Sequence, residues 1–186
     1  MIGNRSAEQT FSDRELRDAL GLFPTGVTVV TTVTATGEWV GATVSSFNSV
    51  SLQPPLILFS MARGSSAFAV WLAARHFVVN VLAQDQGKLS TAFARALTDK
   101  WGGVPYRVGS HGMPVLADSL TCLECDRYAQ YDGGDHLIIV GRVVTLHAGK
   151  RSDMEPLVFF RSKYERLAIG RSIEAPIDAV GFQCGW

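Results

Sequence analysis

The chain has 186 residues, within the about 100–200 of a single domain. Lysine plus arginine and aspartate plus glutamate each number 17, so the formal net charge is zero and the basic excess of a nucleic-acid binder is absent. Charged residues make up 18% against 47% hydrophobic, which excludes intrinsic disorder, allows a sizeable core and points to surface covered by a partner.

Met1 to Thr10 is mixed and polar, without the apolar stretch of a secretory signal, and reads as a flexible tail. Residues 11–170 read as one domain, and 171–186 as a C-terminal tail. The longest apolar run, Ala67 to Ala74, is far short of the ~18 residues of a membrane-spanning helix. Three cysteines fit reduced thiols, so the expected location is the cytoplasm.

Ser12 and Glu15 have the spacing of a capping box and open an amphipathic helix through Leu16, Leu20 and Phe23, stopped by Pro24-Thr25-Gly26. Val27 to Val33 is rich in β-branched residues and predicts a strand. A second strand is expected from about Trp39 to Val50, and a third over Leu56 to Ser60. Gly64-Ser65-Ser66 starts a short helix with Phe68, Trp71 and Leu72 on one face, and Phe77 to Leu82 reads as a buried strand. Asp85 is the expected cap of a helix carrying Leu89, Phe93 and Leu97. Thr98 to Ser119 reads as a long, functional loop. Leu120–Tyr131 and His136–His147 form a β-pair around Asp132-Gly133-Gly134-Asp135, and Phe159-Phe160 adds a final short strand. The pattern is mainly β with short helices, which favours a barrel over a doubly wound sheet.

Neither G-x-G-x-x-G after a strand, nor the P-loop pattern, nor the G-x-S-x-G elbow occurs, which removes most support for a Rossmann site, an NTPase or an α/β-hydrolase. Cys122-Leu123-Glu124-Cys125 matches C-x-x-C, but inside a strand residues three apart point to opposite faces, and no second ligand pair accompanies it. The two thiols read as small core residues, and no metal site is expected. His76, His111 and His147 read as structural or surface residues.

Two features carry chemistry. Between Gly41 and Ser51 a period of two places Thr43, Ser45, Phe47, Ser49 and Ser51 on one face. That face is either a solvated strand surface or a shelf of small donors for a flat polar ring or a phosphate. Gly64-Ser65-Ser66 adds helix-start amides suited to an anion, with Lys88 and Arg95 as countercharge or as ordinary surface charge. Gly133-Gly134-Asp135-His136 is either a solvated hairpin tip or a turn that fixes a histidine at a barrel mouth.

Phe23-Pro24-Thr25-Gly26-Val27, the hydroxyl-rich run into Leu52-Gln53-Pro54-Pro55-Leu56, Ser65-Ser66, Phe77 to Leu82, and Gly133-Gly134-Asp135-His136 with Gly141-Arg142-Val143 form an ordered set. In this order they resemble the flavin reductase family, the small reductase components of two-component flavin-dependent monooxygenases, over about Phe11 to Leu167. The resemblance implies a homodimeric FMN-binding split β-barrel of Greek-key type that passes hydride from NADH or NADPH to FAD or FMN. The reduced flavin then diffuses to a partner monooxygenase. It further implies that Thr25, Thr43, Val44, Ser45, Ser46, Asn48, Ser49, Val50 and Ser51 line the isoalloxazine and ribityl chain. Ser60, Met61, Ser65 and Ser66 would approach the ribityl phosphate, with Lys88 and Phe93 at the phosphate end. Asp135 and His136 would face the nicotinamide, with His136 the catalytic contact, and Tyr164 would stand by the cofactor. A flavin-binding carrier or sensor that does not oxidise NAD(P)H is the alternative; retention of Gly133 to His136 favours the enzyme.

Overall fold

The structure, a computed structural model, describes residues 10–95, 99–149, 155–168 and 170. The chain runs α1 (Asp13–Leu20), β1 (Thr25–Gly26), β2 (Thr28–Val33), β3 (Trp39–Val44), β4 (Asn48–Leu52), β5 (Pro55–Ala62), α2 (Phe68–Ala73) and β6 (His76–Val81). A 3₁₀ turn (Gln84–Gln86) leads into α3 (Gly87–Ala94), followed by β7 (Tyr106–Val108), a second 3₁₀ turn (Ser110–Gly112) and β8 (Pro114–Leu116). The long strands β9 (Thr121–Gly133) and β10 (His136–Ala148) precede β11 (Val158–Phe160) and β12 (Lys163–Glu165). The molecule is mainly β with short helices, as the pattern implies.

Seven strands form one antiparallel sheet in the order β3-β2-β6-β9-β10-β5-β4. The inner strand β6, third in that order, is apolar because both faces are covered: Phe77, Val78 and Val79 are fully buried. Asn80 on the same strand is also buried, and every side-chain group has a use. Its amide donates to the Val29 carbonyl and Thr31 Oγ1, and its carbonyl accepts from the Leu116 amide, which pins β8 to the sheet. Trp71 of α2 is fully buried, its ring edge-on to Phe59 at 5.7 Å. Leu72, expected beside it, is instead 47% exposed, because only one side of this short helix meets the sheet.

The hydroxyl-rich run is not one strand. β3 ends at Val44, Ser45 to Phe47 leave the ladder, and β4 resumes at the far edge of the sheet. The crossing is held by Ser46, whose Oγ accepts from the Ser60 amide at 2.9 Å, and by Phe47, which packs against the main core. A period of two continues through such a crossing, so the pattern alone does not reveal it.

The capping box forms as expected, with Ser12 capping α1 and Glu15 reaching back. Among the described residues nothing buries this helix: Leu16 is 41% and Leu20 64% exposed. Asp85 does not cap α3; it lies inside the 3₁₀ turn, and Gln86 occupies the cap position. Leu97 lies outside the described residues, as do the expected tails apart from Thr10. The segment read as a loop from Thr98 to Ser119 contains the β7–β8 hairpin, whose three-residue strands are too short to show a period. Tyr106 and Trp101 pack edge-on around Trp39.

The β9–β10 hairpin forms around the two glycines as expected, with Gly134 at φ 75°. Cys122 and Cys125 sit in different core clusters, so they face opposite sides of β9. Burial pushes both thiols up, Cys125 to about 12. No helix among the described residues is long and apolar enough to cross a membrane.

Candidate functional site

A groove of about 640 Å³ opens where edge strand β3 approaches β5. Its walls are the end of β3 and the crossing (residues 41–46), the end of β5 (60–62), the loop before α2 (64–67), the end of α3 (93–95), Lys100 and His136. Of the residues singled out in the sequence, Thr43, Val44, Ser45, Ser46, Ser60, Met61, Ser65, Ser66, Phe93 and His136 meet here.

Small residues make the close approach possible. Phe93 is buried, and its ring lies against Gly41, where a Cβ would come within 2.5 Å of it. Thr43 Oγ1 donates to the Ser90 carbonyl at 2.6 Å, tying the floor of the groove to α3. Ser46 and Ser60 are joined across the crossing. Ser65 Oγ accepts from the Ala67 amide, and α2 itself starts only at Phe68. The helix start expected at Gly64-Ser65-Ser66 is therefore a turn that leads into a six-residue helix.

Arg95 and Lys100 bring positive charge to the groove, and among the described residues no carboxylate lines it. Lys100 Nζ donates to the Phe93 carbonyl at 3.2 Å, close to the end of α3, and partial burial holds its pKa below the usual lysine value. Six hydroxyls and two cations around a concave, small-residue surface suit a polar planar ligand that carries a phosphate.

His136 is the first residue of β10, paired with Ala62 of β5 and Gly133 of β9. Its Nδ1 lies 2.7 Å from Asp135 Oδ1. A carboxylate only accepts, so Nδ1 carries the hydrogen and donates it, which leaves Nε2 for a ligand. The bond to His136 keeps the exposed Asp135 carboxyl below its usual pKa.

Other expected residues lie elsewhere. Asn48, Ser49, Val50 and Ser51 are on edge strand β4, outside the groove walls, and Asn48 Oδ1 accepts from the Ser49 amide. Thr25 pairs with Phe159 in the small sheet β1-β11-β12, its hydroxyl buried without a hydrogen-bond partner among the described residues. Tyr164 stands one layer back: its hydroxyl is 2.8 Å from Ser90 Oγ, behind the carbonyl that Thr43 uses. Lys88 lines a separate depression beside Asp85 and Asp99, and Asp135 meets the groove only through His136. Sequence reasoning missed Lys100, which lies in the segment read as a long loop, and the small residues Ala62 and Ala67, whose role is to leave room.

The remaining histidines are in side-chain pairs. His147 Nε2 donates to the buried Glu124 at 2.6 Å. His76 Nδ1 donates to Asp126 at 2.8 Å, and its ring stacks on His111 at 3.8 Å and 9°. Ligand atoms of these three residues lie within 4.8 Å of one another. Parallel rings, however, direct their in-plane lone pairs side by side instead of toward one point, so the trio reads as two stacked rings, one of them hydrogen-bonded to Asp126.

The chain is 35% identical over 170 residues to the reductase subunit of a flavin-dependent monooxygenase of Rhodococcus jostii, covering 91% of this chain and 86% of that protein. It is 40% identical over 172 residues to a probable flavin reductase of Rhizobium meliloti, covering 91% of this chain but only 54% of the relative, so it spans about half that protein's length. Among solved structures, the NADH:FAD oxidoreductase of Streptomyces globisporus, in complex with NAD and FAD fragments, superposes with a TM-score of 0.81 at 36% identity. That match covers 89% of this chain and 100% of the other. The model of the flavin reductase like domain matches residues 20–168, the stretch that holds the whole groove, and the chain belongs to that family.

Proposed function

We propose that this chain is an NAD(P)H:flavin oxidoreductase that reduces FAD or FMN and supplies the reduced flavin to a partner monooxygenase. The observation that carries the reading is one groove holding Arg95, Lys100, a hydroxyl-rich floor and His136, without a lining carboxylate among the described residues. The names of the Rhodococcus and Streptomyces relatives support the monooxygenase partner and the NADH and FAD chemistry.

The residues present fit a flavin nucleotide. Arg95 and Lys100 would neutralise its phosphate, and the hydroxyls of Ser45, Ser46, Ser65 and Ser66 would meet its polar edges. Bound flavin would accept hydride from the nicotinamide, so the electronic work belongs to the cofactors. What the chain contributes is position: His136, oriented through Asp135, would hold the nicotinamide side by Nε2 and is not needed as a base.

The fold reading extends to a Greek-key split barrel, supported by the crossing between the sheet edges at Ser46 and Ser60. It also includes a homodimer, supported by the uncovered Leu16, Leu20 and Phe23, and by the low charge fraction. A cytoplasmic location, and tails flanking residues 11–170, complete it. In the dimer Thr25, Asn48 to Ser51, Lys88 and Tyr164 would line the cofactor surroundings rather than the groove itself.

Purified protein mixed with NADH or NADPH and with FAD or FMN tests the reading by loss of the nicotinamide absorbance band. Oxidation in at least one combination is expected, and none in all four overturns it. Flavin binding without oxidation would instead establish the carrier or sensor.

A further inference from the structure

We propose that Arg63 is a positioning residue that locks the β9–β10 turn and so fixes His136 at the groove. The inference rests on the reading of His136 as the nicotinamide-side contact.

The turn needs an external hold. Gly134 and Asp135 form its tip and Gly133 precedes it, Gly134 with φ 75°, and glycine leaves the backbone free to take many shapes. His136 follows at once, so its ring direction inherits any play in the turn. Its own neighbour Asp135 is exposed and belongs to the same turn, so their bond moves with the tip rather than anchoring it.

Arg63 supplies that hold from the residue just after β5, the neighbouring strand. Its amide donates to the Asp135 carbonyl at 2.9 Å, its Nε to the Gly134 carbonyl at 2.9 Å, and its Nη2 to Asp132 Oδ1 at 2.7 Å. Two of these use the guanidinium as a fork, gripping a backbone carbonyl and a carboxylate on either side of Gly133. The guanidinium also lies 5.6 Å over the ring of Phe68, a residue packed against the main core. Arg63 directly precedes Gly64 to Ala67, which form another wall of the same groove. One side chain thus joins the hairpin tip, the loop before α2 and the core.

A decorative surface pair would look different. Exposed ion pairs of this kind contribute about 0–1 kcal/mol, and Asp132 is 79% exposed, so stability gives little reason for three coordinated contacts. Two of the contacts fall on the backbone carbonyls of Gly134 and Asp135, the two residues immediately before the one that would meet the nicotinamide.

The test compares Arg63→Ala, Arg63→Lys, His136→Ala and the Arg63→Ala/His136→Ala pair by steady-state kinetics and by flavin affinity. The expected result is a rise of about fivefold in KM for the nicotinamide in Arg63→Ala, from lost orientation, with kcat and flavin affinity within about twofold of the parent. Arg63→Lys should fall between, because an ammonium keeps the charge and loses the fork. In the His136→Ala background the Arg63 substitution should add nothing, a non-additivity that a purely structural role would not produce. An unchanged KM in Arg63→Ala, or independent effects in the pair, overturns the proposal while leaving the His136 reading intact. If His136→Ala itself leaves KM unchanged, that reading fails and the positioning role falls with it. Should Arg63→Ala not fold, Arg63→Lys carries the same comparison, and a wild-type KM there overturns the proposal.

Discussion

Ser46 Oγ accepts a hydrogen bond from the Ser60 amide at 2.9 Å, and this bond ties the crossing between β3 and β4 to β5 at the floor of the groove. The same hydroxyl approaches the Ser60 carbonyl at 3.2 Å, so it serves both backbone groups of one residue. A short, bifunctional side chain is what allows the strand crossing to lie flat beneath a ligand.

Replacing Ser46 by alanine leaves both Ser60 groups to water. The expected loss of stability is small, about 1 kcal/mol, as for a single partly exposed hydrogen bond. Flavin affinity should fall further than stability suggests, because the floor on both sides of the crossing would shift. Chemical denaturation and quenching of flavin fluorescence, measured on the same preparation, check the two halves of this expectation.

Lys100 reaches the groove from a segment distant in sequence and is held by the Phe93 carbonyl. If its charge meets the flavin phosphate, Lys100→Met should weaken FMN binding about tenfold or more, the scale of one lost charge-assisted hydrogen bond. Riboflavin, which lacks the phosphate, should bind the variant and the parent alike. Equal losses for both ligands would place the lysine in structure instead of recognition.

Much of this architecture is legible in the residues, and the failures have physical causes. Local rules succeeded where the signal was local: the Ser12–Glu15 capping box, the doubly buried strand around Phe77 to Val79, and the glycine turn before His136. The Thr43–Ser51 run misled because alternation survives a break in the strand, which moved Asn48 to Ser51 to the far edge of the sheet. Lys100 was invisible because its place is set by the β7–β8 hairpin and the packing of Trp101, contacts no local pattern encodes. The glycine and alanine lining is the hardest to read, since its contribution is the absence of a side chain.

Gly141 shows the same principle in the core. A Cβ added there would fall inside the van der Waals envelope of the Phe77 ring, which is fully buried and edge-on to Phe59 at 5.2 Å. The ring has nowhere to retreat, so Gly141→Ala should destabilise by about 1–3 kcal/mol, as overpacking does. A smaller Phe77 partner, as in Gly141→Ala combined with Phe77→Leu, should recover part of the loss. Thermal or urea denaturation of the single and paired variants measures this directly.

Glu124 gives the fold an acid-sensitive point away from the groove. Burial alone would raise its pKa, but the bonds it accepts from His147 Nε2 at 2.6 Å and the Ser110 amide at 2.8 Å outweigh this and hold it below the ordinary value of 4.5. A carboxyl with a lowered folded-state pKa stabilises the protein above the unfolded value, and that contribution is lost as pH falls through the folded value. Stability should therefore decline as pH drops below 4.5, with Glu124 among the groups responsible. Glu124→Gln keeps acceptor capacity without charge, so the variant should be less stable at neutral pH and show a shallower decline in acid. Urea midpoints taken from neutral pH downward for both proteins decide the point, and parallel curves would remove Glu124 from the account.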